Sequence, residues 1–403
     1  MERSVFQKIV FIVMFCLVSS LAVVGQPVQA EKRQKKDNYI IAAYIWPSCH
    51  DDPKAREALW SEGIGEWEVI QKGTPRFEGH YQPRQPLLGY EMDNDPKVVE
   101  RWIDLATEHG VNTFVYDWYW YDEGPYLESA LNEGFLGAAN NEKMNFYIMW
   151  ANHDVKRNYW NWHRYGSDET ILWDASVDRK NFNIIVERVI SQYFVRPNYL
   201  KIDGCPVFSI FSIQKLIESF GGSLEETRDA INYFREEVKK AGFPDLHLQL
   251  NFGGGYFLNP TSEKELKERV ETVGFNSVGM YNMGGFNTDY LVHGSNARKI
   301  REQWDNVLNV PLFPCVSVGW DDTPRFPEKG KNDVTRFNNN PDSFATLLLK
   351  AMKYVDNHPD QPKIITINAW NEWVEGSYLL PDMKHGYGYL EVIKKVVEGT
   401  YDF

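Results

Sequence analysis

Cysteine is scarce in this sequence of 403 residues, with four in all, and one of them, Cys16, falls in an apolar N-terminal run. The other three, Cys49, Cys205 and Cys315, are odd in number, so no complete disulfide framework is available. Each lies in or beside an apolar stretch, where a buried free thiol is expected. HExxH, CxxC and any close pair of histidines are missing, which removes the usual zinc sites. No GxSxG elbow and no Walker loop is present. Gly253-Gly254-Gly255 lacks the GxGxxG spacing and reads as a loop of close approach, not a dinucleotide cradle. No metal or cofactor is therefore expected. Positive charge is the other shortage: 43 Lys and Arg face 56 Asp and Glu, for a net charge of −13. Such a chain is poorly suited to nucleic acid or an anionic membrane, and neutral ligands are favoured. No repeat and no low-complexity linker divides residues 39–403, which read as one domain.

The N-terminus has its own pattern. Arg3 and Lys8 flank the start of an apolar run over 9–25, and small residues follow at Val23-Val24-Gly25 and Val28-Gln29-Ala30. This is the layout of a secretory signal over 1–30. The run is near the lower limit for spanning a bilayer and contains Ser19 and Ser20. Phe15 is too bulky to precede a lipid-modified cysteine at 16. The expectation is an exported protein, periplasmic or secreted, with a polar tail over 31–38 and no stable membrane insertion after cleavage.

Eight short apolar runs, each followed by a polar or aromatic loop and a helical pattern, predict an α/β fold, a (β/α)8 barrel. The runs are 39–45, 112–118, 145–150, 206–211, 246–252, 277–281, 312–318 and 364–368. The helices are expected over 96–109, 129–136, 179–194, 224–241, 262–272, 289–307, 342–357 and 387–398. Long loops over 47–95 and 151–178 follow the first and third strands. Loops after strands form the catalytic face of a barrel.

The strand ends carry aromatic rings beside carboxylates and amides: Tyr44 and Trp46; Tyr116, Asp117 and Trp118; Trp150, Asn152 and His153; Asn251; Tyr281; Trp320 and Asp321; Asn371, Glu372, Trp373 and Glu375. A ring stacks on the C–H face of a sugar while polar groups take its hydroxyls, so an oligosaccharide or polysaccharide substrate is expected. Asp321-Asp322 are read as partners of sugar hydroxyls or of Arg325 in preference to calcium ligands. Glu372 and Glu375 follow the last apolar run. A helical turn there would place positions i and i+3 on one face, about 5–6 Å apart at Cβ. Two carboxyls at about 5–5.5 Å suit a retaining glycosidase, and like charges that close separate into one acid and one base.

Asn371-Glu372-Trp373-Val374-Glu375-Gly376 resembles the catalytic motif of glycoside hydrolase family 99, and the chain as a whole is similar to the bacterial proteins labelled WbsX-like glycosyltransferases. The resemblance includes Gly65-Glu66-Trp67, the run from Phe77 through His80 to Arg84, Trp150-Ala151-Asn152 and the run from Gly319 to Arg325. It implies a (β/α)8 barrel that cleaves α-mannosidic bonds within a chain and retains configuration through a 1,2-anhydro sugar. Glu372 would take the proton of the sugar 2-hydroxyl. Glu375 would protonate the leaving oxygen and then activate water. From the residues alone the two roles are exchangeable, and a glutamate nucleophile stays open. Val374 stands where family 99 usually has a basic or polar residue, and Trp46-Pro47-Ser48-Cys49-His50 has no mannosidase counterpart. A glycosyltransferase of polysaccharide synthesis and a non-catalytic glycan-binding barrel are the rival readings.

Overall fold

The computed structural model describes residues 39–121, 124–253, 257–334 and 337–402. The expected signal and tail over 1–38, and Asp122, Gly254 and Gly255, lie outside these residues. Eight parallel strands build the barrel: β1 Ile40–Ile45, β2 Thr113–Tyr121, β3 Asn145–Trp150, β4 Cys205–Ile210, β5 His247–Phe252, β6 Ser277–Met280, β7 in two segments, Leu312–Phe313 and Cys315–Ser317, and β8 Ile364–Asn368. Each pairs with its neighbour in sequence, and β8 pairs with β1 in the register Ile40↔Ile364. The seventh strand is split at Pro314, which has no N–H to give to a ladder. Its first segment pairs with β6 (Val278↔Leu312) and its second with β8 (Cys315↔Thr366), so the barrel closes through both.

Seven long α-helices flank the strands: Pro96–Glu108, Arg179–Val189, Leu224–Lys240, Pro260–Val273, Tyr290–Val307, Pro341–Asp356 and Gly388–Glu398. The connection from β2 to β3 carries a π-helical segment, Ala130–Phe135, instead. Helices expected from 262 and 342 begin two residues and one residue earlier, at Pro260 and Pro341. Asn259 and Asn340 cap them, and proline fits the first helical position because its missing N–H would be unpaired there anyway. Of the described residues, no helix is long and apolar enough to cross a membrane.

Alternation along the strands decides what faces the barrel interior. On β2, Asp117 and Tyr119 point inward. Phe114 and Tyr116 point outward onto Phe135, at ring separations of 6.2 and 5.5 Å. Across the interior, Asn251 Nδ2 donates to the Tyr44 hydroxyl at 2.6 Å and lies 2.8 Å from the Met149 sulfur. The barrel is thus filled by polar and aromatic side chains whose upper layer opens into a cavity.

Candidate active site

The segment after β8 does not turn helically. Asn371–Glu372 and Ser377–Tyr378 pair antiparallel in a hairpin, and Glu375 sits in its turn. Gly376 closes this turn with φ +65°, a conformation open mainly to glycine. A Cβ there would also stand 2.3 Å from Arg84 Nη2. Both carboxyls reach one cavity of about 540 Å³ at the C-terminal end of the barrel, lined also by Trp46, Asp117, Tyr119, His153, Tyr159, Tyr281, Trp320 and Arg325.

The hydrogen bonds around the carboxyls form one network. Glu372 Oε2 accepts from Asn368 Nδ2 at 3.0 Å and from the Tyr281 hydroxyl at 2.8 Å. The same hydroxyl lies 2.9 Å from Asp117 Oδ2. One hydroxyl proton cannot serve two carboxylates, so a carboxyl of this trio carries a proton of its own. Burial raises Asp117 well above the ordinary carboxylate range. Burial also raises Glu372 well above that range, and the charges of Glu375 and Asp117 add to the rise. Glu375 is raised by burial too, but the Arg325 guanidinium opposes this at 3.0 Å. The Tyr159 hydroxyl donates to Glu375 at 3.2 Å. Burial and their mutual charge thus favour protonation of the Glu372–Glu375 pair, and Arg325 favours the negative charge on Glu375.

Arg325 is itself held by Glu66 at 2.8 Å, and Glu66 accepts from the Trp46 indole at 2.5 Å and from Ser48 at 3.2 Å. His153 is half-buried in the cavity wall, and its desolvation there lowers its imidazole below the ordinary value. Among the described residues, no group of three or more histidine, cysteine or carboxylate side chains is placed to hold a metal.

The structure sorts the expected site residues by position. Trp46, Asp117, His153, Tyr281, Trp320, Glu372 and Glu375 line the cavity. Tyr44 and Asn251 lie beneath it in the barrel interior. Others are elsewhere. Tyr116 and Trp118 share the outward parity of β2, opposite to Asp117, and Trp118 donates to Glu128 in the outer layer. Trp150 likewise faces outward toward Phe182. Asn152 pins the backbone of Ser212, and Asn371 clasps the backbone N–H and C=O of Trp46 at 2.9 and 2.8 Å. Trp373 stacks on Tyr378 at 3.8 Å and packs on Trp67.

Asp321 pairs with Arg84, not with Arg325. Its carboxylate accepts from Arg84 at 2.5 Å and from His80 and Gln82 at 2.9 Å each. Burial alone would raise this carboxyl, but the Arg84 charge and the bonds from His80 and Thr323 hold it far below the ordinary range. Its backbone N–H donates to the Glu375 carbonyl at 2.6 Å, and Arg84 also donates to the Trp373 carbonyl at 3.3 Å. His80 and Asp321 thus belong to a clamp on the hairpin that carries Glu372 and Glu375. The residues not singled out as site members are Tyr119, Tyr159, Arg325 and Glu66. Parity with Asp117 was the available signal for Tyr119; nothing local marks Tyr159.

A family model described as glycosyltransferase WbsX matches residues 40–393. The chain belongs to the WbsX family. Its curated relatives include two forms of the uncharacterized protein WxcX of Xanthomonas campestris pv. campestris. Each is 25% identical, over 380 and 378 residues, covering 90% of this chain and 50% of the relative. This WbsX-family chain therefore spans about half the length of those relatives. Among solved structures, the GH99 endo-alpha-mannosidase from Bacteroides thetaiotaomicron, in complex with Bis-Tris propane, shares the fold with a TM-score of 0.55 at 15% identity. That match covers 90% of this chain and 97% of the neighbour. A glycoside hydrolase-like protein aligns with a TM-score of 0.57 at 14% identity over 93% and 98% of the two chains.

Proposed function

We propose that this WbsX-family chain is an exported, periplasmic or secreted, glycoside hydrolase that cleaves an α-mannoside-containing glycan with retention, by way of a 1,2-anhydro sugar. The observation that carries this reading is the carboxyl pair Glu372–Glu375, buried together in an aromatic-lined cavity with Arg325 beside only one of them. An acid and a base held apart by their surroundings are what glycoside cleavage requires. Trp46, Tyr119 and Trp320 supply ring faces for the sugar, and Asp117, Tyr281 and Asn282 lie within reach of its hydroxyls.

Glu372 is the base. Its Oε2 already has donors in Asn368 and Tyr281, which stabilise it when it ionises. A sugar 2-hydroxyl that donates to Glu372 displaces the proton held there, and the proton moves to Glu375. Glu375 passes it to the leaving oxygen while O2 attacks the anomeric carbon, closing the three-membered ring and breaking the glycosidic bond. Glu375, now ionised and steadied by Arg325, takes a proton from water as that water opens the ring and O2 regains its proton from Glu372. Transfer from a nucleotide sugar is the competing reading, and the family description favours it. The cavity charge opposes it: the lining carboxyls of Asp117, Asp154, Glu372 and Glu375 outnumber its two cations, Arg325, which Glu66 already engages, and the exposed Lys156, which makes a poor cradle for a diphosphate.

The test uses an α-mannosyl fluoride, whose leaving group needs no protonation. Retention should be seen by NMR in the first-formed product. Glu375→Gln should keep turnover of the fluoride but lose natural glycosides, and Glu372→Gln should lose both. Rescue of Glu372→Gln alone would exchange the two roles. No turnover of either substrate by the wild type would reject the hydrolase.

A further inference from the structure

A third carboxyl stands beside the Glu372–Glu375 pair. Asp117, on the inward face of β2, is 4% exposed and lines the cavity. Its Oδ2 lies 2.9 Å from the Tyr281 hydroxyl, just past β6, and that hydroxyl lies 2.8 Å from Glu372 Oε2, in the hairpin after β8. Its other oxygen, Oδ1, is buried with no hydrogen-bond partner among the described residues. The ionisable groups that act on it are Tyr281, Glu372 and Glu375, with Tyr119 from its own strand, and none of these is a cation.

The single proton of the Tyr281 hydroxyl can go to one side only. Glu372 Oε2 has a second donor, Asn368 Nδ2 at 3.0 Å, which suits an ionised carboxylate. Asp117 has no second donor. Ionised, it would leave Oδ1 as a buried carboxylate oxygen without a partner, which is costly. Protonated, it donates from Oδ2 to the Tyr281 oxygen, and Tyr281 donates on to Glu372. Each hydrogen of this chain then has an acceptor, and Oδ1 is a neutral carbonyl oxygen, the less costly atom to leave unpaired. Burial raises Asp117 in the same sense.

We propose that Asp117 is a positioning residue that stays a neutral acid through the reaction and, by donating to Tyr281, commits the Tyr281 hydroxyl to Glu372. An ionised Asp117 would draw that hydroxyl proton to itself, and its charge would hold a proton on Glu372, which could not then take one from the sugar 2-hydroxyl. Asp117 itself gives up no proton and forms no covalent bond. This inference rests on the hydrolase reading above and adds what frees Glu372 to act as the base.

Two measurements on the full chain test it. In protein carrying carbon-13 at the aspartate γ-carbons, the resonance absent from Asp117→Asn reports the charge of Asp117 alone. It should hold the position of a neutral carboxyl at pH 7, far above the ordinary aspartate value; the position of a carboxylate there would overturn the proposal. In turnover of α-mannosyl fluoride, Asp117→Asn, whose amide donates to Tyr281 as the neutral acid does, should stay within about twofold of the wild-type kcat, while Asp117→Ala loses about tenfold, the worth of one hydrogen bond. A loss in Asp117→Asn as large as that in Asp117→Ala would also overturn it. Failure of the hydrolase reading is separate: the wild type would then turn over no substrate, and the resonance would still decide the charge of Asp117.

Discussion

Glu372 is the residue at which stability and chemistry pull in opposite directions. Its folded pKa is raised by burial and by the charges of Glu375 and Asp117. A carboxyl raised on folding contributes fully below its unfolded value, about 4.3, and loses that contribution as pH climbs through the folded value. Glu372→Gln, which cannot ionise, should therefore match the wild-type melting temperature at pH 4 and exceed it by roughly 2–4 °C at pH 8. A variant less stable at pH 8 would mean that Asn368 and Tyr281 stabilise the carboxylate more than its burial opposes it. Trp320 is a second residue-scale case. It is only partly buried, so Trp320→Ala should weaken glycan binding with little loss of melting temperature; a large loss would make it a core residue. The carboxyl pair was legible because two glutamates after an apolar strand run are conspicuous. Its polar partners were less so. Tyr116 and Trp118 were expected beside Asp117, yet side chains one residue apart on a strand face opposite ways. Asp117 in the cavity therefore sends both rings to the helix layer, where Phe135 and Glu128 meet them.

The hairpin that carries Glu372 and Glu375 depends on elements far from it in sequence. Arg84, in the long loop after β1, joins Asp321, in the loop after β7, and both hold the hairpin through Trp373 and Glu375 carbonyls. Arg84→Ala leaves the Asp321 carboxylate buried with no cation and should cost about 3–5 kcal/mol in a denaturant melt. Gly376→Ala adds left-handed strain of roughly 1–2 kcal/mol and a clash with Arg84, so it should lower both turnover and melting temperature. A Gly376→Ala protein with full activity would show that the hairpin tolerates displacement. Spacing three apart suggested a helical turn here. The hairpin prevailed because Asn371 and Glu372 pair with Ser377 and Tyr378 and because Gly376 takes a positive φ. Helix starts were blurred for a different reason: proline looks like a breaker but fits position one behind Asn259 and Asn340.

Over the whole molecule the barrel was readable because its eight strands alternate with helical segments, and that alternation survives unequal loop lengths and local irregularities. The π-helical segment after β2 and the break at Pro314 leave the closure intact. What the pattern does not carry is how the long loops meet above the barrel. Tyr159 and Arg325 come from separate loops and meet Glu375 only in three dimensions, and Glu66, from a third, holds Arg325. The barrel thus offers a rigid floor, and the inserted loops determine what the cavity does. The measurement that bears most directly on this account is mass spectrometry of glycan digests. The purified protein and its Glu375→Gln variant are incubated with α-mannans and with other neutral and acidic glycans. Fragments released by the wild type and absent with the variant are the predicted result. No fragments from any glycan, or equal fragments from both proteins, would contradict a hydrolase centred on Glu372 and Glu375.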